Sequence, residues 1–145
     1  MTGRVGVGAG VAAVLSDDAI LDAARSVLPA LCALTLFGSR ANGPGRADSD
    51  LDLAVLLPEP ADPVALWEAG EAIAKRLDVD VDLVDLRRAS TVMQHQIITT
   101  GRRLFAQGAE PDRYDAYILN AKLALDEARA PLLADILREG RVHGG

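Results

Sequence analysis

The residues best suited to chemistry are two aspartates, Asp50 and Asp52, separated by one leucine. They open an apolar segment through Leu57 that predicts a β-strand. Because alternate side chains of a strand share a face, the two carboxylates should point the same way, with their backbones roughly 7 Å apart. Paired carboxylates suit divalent cations, which lie about 4 Å apart in two-metal phosphoryl-transfer sites. The spacing therefore predicts a metal site, with Mg²⁺ as the expected ion.

A glycine–serine pair, Gly38 and Ser39, stands at the end of another predicted strand, and the segment 40–49 connects it to the aspartates. Glycine at a strand end lets a phosphate approach the backbone, and a serine hydroxyl can bond to that phosphate. The connecting segment contains Gly43, Pro44 and Gly45 in succession, which requires a turn. These residues predict that a phosphate-bearing ligand binds beside the metal.

A third carboxylate would complete such a site by orienting the acceptor hydroxyl and acting as its base. The segment 79–86 alternates as a strand, and Asp80 and Asp82, with Asp78 just before it, should lie on one face. Asp82 is the preferred candidate because it lies mid-strand, and Asp80 is the alternative. Asp85 should lie on the opposite face of the strand. A solvated strand face that discourages edge pairing is the other interpretation of these charges, above all for Asp78 and Asp80.

The chemistry that this set would support is nucleotidyl transfer. Carboxylates bind Mg²⁺, the ions bridge a triphosphate, and in-line attack on the α-phosphorus expels pyrophosphate. Charge neutralisation and positioning supply the catalysis, so neither histidine nor cysteine is needed. Arg40 and Arg46 are candidate phosphate contacts, although a plain surface position is the simpler interpretation of each.

The composition limits the class of partner. The chain has 145 residues and a formal net charge of −6, which suits one domain. Sequence-independent binding to long nucleic acid requires a surplus of Lys and Arg, so it is not expected. Cys32 is the single cysteine, which excludes an intrachain disulfide and favours a reducing, cytoplasmic location. No stretch reaches the ~18 apolar residues of a membrane span.

The helices that should support the site are predicted from their caps and apolar spacing. Asp112–Glu139 has one apolar stripe and predicts a long helix that Pro131 should kink or split. Trp67, the single tryptophan, is expected to be partly buried in packing. Shorter helices are predicted to begin after the cap residues Ser16, Asp62 and Ser90.

Two further segments predict strands. The run Leu31–Phe37 is almost continuously apolar, which favours a strand buried on both faces, and Arg102–Ala106 predicts a short strand or edge. The chain should divide into a flexible glycine-rich tail over residues 1–15, a core over 16–106 and a helical extension over 107–145. The residues expected in the core are Leu34, Leu36, Leu53, Val55, Ile73, Leu77, Val81 and Leu83.

These motifs together carry a family resemblance. Gly38–Ser39 followed at this spacing by Asp50–Asp52 resembles the G-S-x10-D-x-D signature of the minimal nucleotidyltransferases of the polymerase-β superfamily. Val81–Leu86, which reads VDLVDL, resembles the third-carboxylate strand of that family. The resemblance covers residues 16–106. One departure is Asn42, where the family frequently has arginine. This departure affects an expected phosphate contact and not the metal site.

The resemblance implies an α/β (α+β) nucleotidyltransferase fold: a small mixed sheet with helices packed on one face, plus the C-terminal helix. The small size and this helix look most like the MntA-type adenylyltransferase antitoxins of HEPN/MNT toxin–antitoxin systems. By position, Gly38 and Ser39 would hold ATP, Asp50 and Asp52 would bind Mg²⁺, and Asp82 would complete the metal site and receive the acceptor hydroxyl. The implied reaction transfers AMP from ATP to a tyrosine of a cognate HEPN-domain ribonuclease toxin and silences it.

Two alternatives remain beside this hypothesis. One is a nucleotidyltransferase that acts on a small molecule such as an aminoglycoside, although such enzymes usually need a further domain or a dimer cleft for the acceptor. The other is a binding module that neutralises its partner by masking it, for which the apolar stripe of the C-terminal helix is the motivating feature. Replacement of Asp50 and Asp52 by asparagine separates catalysis from masking.

Overall fold

The computed structural model describes residues 15–41 and 50–144, and their side chains up to residue 139. The predictions for the N-terminal tail before Leu15, for Asn42, for the Gly43–Gly45 turn and for Arg46 therefore lie outside the described residues. In chain order the described elements are α1 (Asp17–Val27), β1 (Ala33–Phe37), a 3₁₀ turn (Gly38–Arg40), β2 (Leu51–Leu56), α2 (Pro63–Leu77), β3 (Val81–Asp85), α3 (Thr91–Thr100), β4 (Arg102–Ala106) and α4 (Glu110–Gly144).

The strands form one mixed sheet in the order β3-β2-β1-β4. β1 pairs antiparallel with both β2 and β4, whereas β2 pairs parallel with β3. The mixed sheet implied by the family resemblance is thus confirmed. β3 and β4 lie at the two edges, so the strand that ends just before Gly38 and the strand that begins just after Asp50 are the central pair.

The three predicted helix caps are confirmed. In each, a side-chain oxygen of the residue before the helix accepts a hydrogen bond from a backbone N–H in the first turn, which satisfies a donor that has no partner inside the helix. The bonds run from Ala19 N to Ser16 Oγ (3.1 Å), from Ala65 N to Asp62 Oδ2 (3.0 Å) and from Met93 N to Ser90 Oγ (3.2 Å).

Helices cover both faces of the sheet, which corrects the expected placement on one face. α1 and α2 pack on the face that carries Leu34, Leu36, Leu53 and Val55, and Ile73 of α2 is buried against them, so five of the predicted core residues lie in this cluster. The other three, Leu77, Val81 and Leu83, are partly buried against it. The opposite face has a second core, and its buried residues are Ala33, Ala54, Leu56, Leu86, Ile97 and Ile118. α3 and α4 supply Ile97 and Ile118 because a strand buried on both faces needs a second layer.

α4 is one helix, and Pro131 lies inside it. The expected split after Ala130 therefore does not occur. Ile118 is fully buried, but most of the large apolar residues that follow it are exposed, among them Leu123, Leu132, Leu133, Ile136 and Leu137. Within the described residues, the helices include none with the length and apolar character of a membrane span.

Gln94 fixes α3 to the face of the sheet that carries the second core. Val92 is 45 % exposed, whereas Gln94 is buried and its Nε2 donates to Leu86 O (2.8 Å) and to the Tyr114 hydroxyl (3.1 Å). The amide thereby satisfies two acceptors between β3, α3 and α4, which apolar side chains could not do.

We expect Gln94→Leu to lower the free energy of unfolding by about 1–3 kcal/mol, because it leaves a buried carbonyl and hydroxyl without their donor. Urea denaturation followed by circular dichroism measures the change. Gln96→Leu is the matched control, since Gln96 is exposed on the same helix and should change stability little. Equal losses in the two variants would contradict this role of Gln94.

Candidate active site

Asp52 lies at the start of β2, between the neighbouring strands β1 and β3. Its residue partner on β1 is Phe37, and its partner on β3 is Asp82. Neighbouring strands are about 4.8 Å apart, and directly paired residues point to the same face. Asp52 and Asp82 therefore project side by side from adjacent strands, on the face that α3 covers farther along the sheet.

Asp50 immediately precedes β2, two residues before Asp52, and is exposed. Burial raises the pKa of the Asp52 carboxyl, and the carboxylates of Asp82 and Asp50 raise it further. A like charge nearby disfavours the ionised form. The three predicted site aspartates thus interact electrostatically at one end of the sheet.

The three carboxylates do not make a closed ligand set as they stand. Within residues 15–41 and 50–139, His, Cys, Asp and Glu side chains form no group of three or more arranged to hold a metal ion. The chemistry of the donors nevertheless fits Mg²⁺, which prefers carboxylate oxygens and usually keeps several waters. A dication would also offset the repulsion that raises the pKa of Asp52.

Gly38 is in contact with the Asp52 carboxylate. It begins the 3₁₀ turn at the end of β1 with φ = +76°, in the left-handed region that favours glycine. A Cβ built at Gly38 would lie only 2.1 Å from Asp52 Oδ2. The glycine is therefore required both by the backbone and by the side chain that it faces.

Ser39 follows in the same turn and is exposed. The end of the turn is fixed from β4, where Arg102 Nε donates to Ala41 O at 3.2 Å. Arg40 also lies in this turn and is half-buried. The predicted Gly-Ser pair thus borders the aspartates, with an accessible hydroxyl beside them.

A cavity of about 180 Å³ opens on the α3 side of this turn. Its apolar lining comes from β1 and α3. The residues that line it are Phe37, Gly38, Met93, Gln96, Ile97 and Thr100. Sequence reasoning did not find this cavity, because it depends on how α3 crosses the end of β1.

The other aspartates of the β3 segment differ in their surroundings. Asp85 is buried, and its carboxylate accepts hydrogen bonds from the backbone N–H groups of Ala61 (2.8 Å) and Arg87 (3.0 Å). It therefore anchors the loop before α2 and lies at the opposite end of β3 from the site. Its pairing with Val55 places it on the face opposite to Asp82, as expected. Asp80 is exposed and precedes β3, and its backbone carbonyl accepts from Leu51 N (2.8 Å).

A mixed sheet with a Gly-Ser turn against paired aspartates defines a nucleotidyltransferase. The family model described as "Polymerase beta, Nucleotidyltransferase" matches residues 25–110, and the chain belongs to this family. The polymerase-β fold implied by the sequence motifs is confirmed.

Among known proteins, the chain is similar to the protein adenylyltransferase MntA of Shewanella oneidensis. The two are 34% identical over 133 residues, which cover 90% of this chain and 96% of the relative. A chain of a toxin–antitoxin crystal structure with AMP-PNP is 34% identical, with a TM-score of 0.75, and the match covers 85% of this chain and 99% of that one. A second solved structure holds the tri-AMPylated S. oneidensis HEPN toxin in complex with the MNT antitoxin. Its matched chain is 33% identical with a TM-score of 0.68, over 83% of this chain and 95% of that one.

Proposed function

We propose that the protein is a Mg²⁺-dependent adenylyltransferase antitoxin, which transfers AMP from ATP to a tyrosine hydroxyl of a HEPN-domain toxin and thereby neutralises it. The observation that carries the proposal is the register that pairs Asp52 with Asp82, beside Asp50 and against Gly38. The similarity to a protein adenylyltransferase over almost its whole length favours a protein acceptor over a small molecule such as an aminoglycoside.

Each residue has a defined part in this proposal. Asp50, Asp52 and Asp82 would hold Mg²⁺, which neutralises the triphosphate and the charge that develops on it. The Ser39 hydroxyl and the backbone at Gly38 bind phosphate oxygens, because the turn is accessible and carries no side chain at its first position.

The transfer itself needs one proton acceptor. The tyrosine oxygen attacks the α-phosphorus in line, the bond from that phosphorus to the bridging oxygen of the β-phosphate breaks, and pyrophosphate leaves. Asp82 accepts the phenolic proton, since it lies beside Asp52 and is exposed toward an incoming acceptor. The products are AMP-tyrosine and pyrophosphate.

The proposal is tested by incubating the protein with ATP, Mg²⁺ and the HEPN-domain protein encoded by a neighbouring gene, and by reading the intact mass of that protein. A gain of one or more AMP units, absent without Mg²⁺ and in Asp50→Asn, is the expected result. No gain with any HEPN-domain neighbour would overturn the proposal.

We expect Asp82→Asn to reduce AMP transfer by ~10²–10⁴-fold, the range that a positioned base contributes. Asp80→Asn is the matched control, because Asp80 is exposed on the same segment and does not act on the pKa of Asp52. Its rate should remain within about threefold of the wild-type rate. The opposite ranking would make Asp80 the third carboxylate.

Masking is a second candidate function, and the exposed apolar residues of α4 after Ile118 are the observation in its favour. Patches of this kind commonly mark protein–protein contact sites. The double variant Asp50→Asn/Asp52→Asn distinguishes the two functions. If this variant still neutralised the toxin in cells at equal protein levels, masking would be the main activity.

A further inference from the structure

A groove runs between α2 and the outer edge of β3, and it is referred to below as the β3 groove. Its volume is about 390 Å³, within the range of ~300–1,000 Å³ of ligand-binding pockets. The residues that line it are Pro63, Leu66, Trp67, Gly70 and Glu71 from α2, and Val81, Asp82 and Leu83 from β3. No part of the proposed nucleotide site other than Asp82 belongs to it.

The β3 side of the groove is an unpaired sheet edge. β3 has β2 as its only neighbour in the sheet of described strands. The flanking hydrogen bonds from Leu51 N to Asp80 O (2.8 Å) and from Leu86 N to Val55 O (2.9 Å) show which residues of the β3 segment bond to β2: those with even numbers. Successive residues of a strand direct their backbone N–H and C=O groups to opposite sides, so the backbone groups of Val81 and Leu83 face the groove. A free edge of this kind can accept an extended peptide.

The α2 side of the groove presents an exposed indole. Trp67 is 67 % exposed, so the expected packing role is wrong. An exposed tryptophan at the rim of a groove is typical of a binding hot spot, where a large rigid ring is covered when the partner arrives. Gly70 forms part of the lining, and a Cβ there would make an ordinary van der Waals contact with Leu83 Cβ at 3.4 Å.

We propose that the β3 groove binds the acceptor segment of the toxin, an extended stretch that carries the target tyrosine, with Trp67 as its apolar anchor. This inference rests on the proposed function. The groove is continuous with the active site through Asp82, which lines it and is paired with Asp52. A segment that leaves the groove over the edge of β3 would bring a tyrosine hydroxyl to the Asp82 carboxylate, which projects from the face opposite to α2.

The charge of the groove further defines its occupant. Among the described residues that line it, Glu71 and Asp82 are acidic and none is Lys or Arg; Glu71 lies on the α2 side of the groove. Complementary charge favours a segment with Lys or Arg near the tyrosine, because like charges across an interface are costly. The chemical class of the ligand is therefore a basic, tyrosine-bearing peptide segment.

The first test compares AMP transfer by the wild type and by Trp67→Ala over a range of toxin concentrations. We expect the KM for the toxin to rise at least tenfold, with kcat at saturating toxin within about threefold and ATP affinity unchanged. Val64→Ala is the matched control, because Val64 is equally exposed on α2 (64 %) and does not line the groove.

The outcomes separate the inference from the function on which it rests. An unchanged KM in Trp67→Ala, with normal transfer by the wild type, overturns the groove as the acceptor site and leaves the adenylyltransferase intact. A wild type that transfers no AMP overturns both. A loss of ATP affinity in Trp67→Ala would assign the indole to the nucleotide and also overturn the inference.

A second test uses the charge of the groove. Glu71→Lys should raise the KM for the toxin at least fivefold, and this effect should shrink in high salt because exposed charges are screened. Glu68→Lys makes the same charge change on the same helix outside the groove and should have less than a twofold effect. Equal effects of the two variants would overturn the basic character of the acceptor segment.

Discussion

Replacement of Asp52 by asparagine is expected to lower the rate of AMP transfer ~10³-fold and, at the same time, to stabilise the Mg²⁺-free protein. The loss of transfer follows from the proposed metal site. Removal of one ligand carboxylate withdraws several kcal/mol of transition-state stabilisation. Because each 1.36 kcal/mol corresponds to a factor of ten, about 4 kcal/mol gives a ~10³-fold lower rate.

The gain in stability follows from the pKa of Asp52. Burial, with the carboxylates of Asp82 and Asp50, raises this pKa in the folded protein above its value in the unfolded chain. At pH values above the folded pKa, the ionised carboxylate therefore destabilises the folded state, and below the unfolded pKa this penalty is absent. Asp52→Asn should raise the melting temperature at pH 7.5, and its advantage should vanish as the pH falls through the folded pKa.

Scanning calorimetry with EDTA across this pH range measures the effect, and Glu68→Gln is the control because Glu68 is exposed on α2. Addition of Mg²⁺-ATP should reverse the ranking, because ligand that binds the folded state stabilises only a protein that can bind it. A destabilised Asp52→Asn protein, or one that transfers AMP at the normal rate, would contradict this account of the site.

The local part of this architecture could be predicted from the sequence because it depends on neighbouring residues. The caps at Ser16, Asp62 and Ser90 need only a side-chain oxygen before an apolar helix, and all three form. The alternation in β2 likewise buries Leu53 and Val55 on the face opposite to Asp52. The alternation follows from the two-residue period of a strand, just as the apolar side of a helix follows from its period of three to four residues.

Features that depend on distant parts of the chain could not be predicted in this way. Spacing in sequence indicated an aspartate-rich strand, but the pairing of Asp52 with Asp82 required the strand order. Helical periodicity likewise showed which side chains share a face, but not which face another layer would cover. This is why Trp67 was expected in a packed position and is exposed.

Gly38→Ala is expected to reduce AMP transfer at least ~10²-fold, because the added methyl group would occupy space next to Asp52 Oδ2, 2.1 Å away. The carboxylate or the turn must shift, and a displacement of about 1 Å from the productive geometry can lower a rate by ~10²-fold. The positive φ adds a backbone penalty of roughly 1–2 kcal/mol, which lowers the stability of the fold and not the rate of a folded molecule.

Gly108→Ala separates these two effects. Gly108 has nearly the same backbone conformation (φ = +73°), and a Cβ there would meet no atom within 4 Å. Both variants should therefore lose similar stability in urea denaturation, whereas only Gly38→Ala should lose activity when transfer is measured at a temperature where both are folded. If Gly38→Ala transferred AMP as fast as Gly108→Ala, the glycine would serve only the turn, and close contact between Gly38 and Asp52 would not be needed for catalysis.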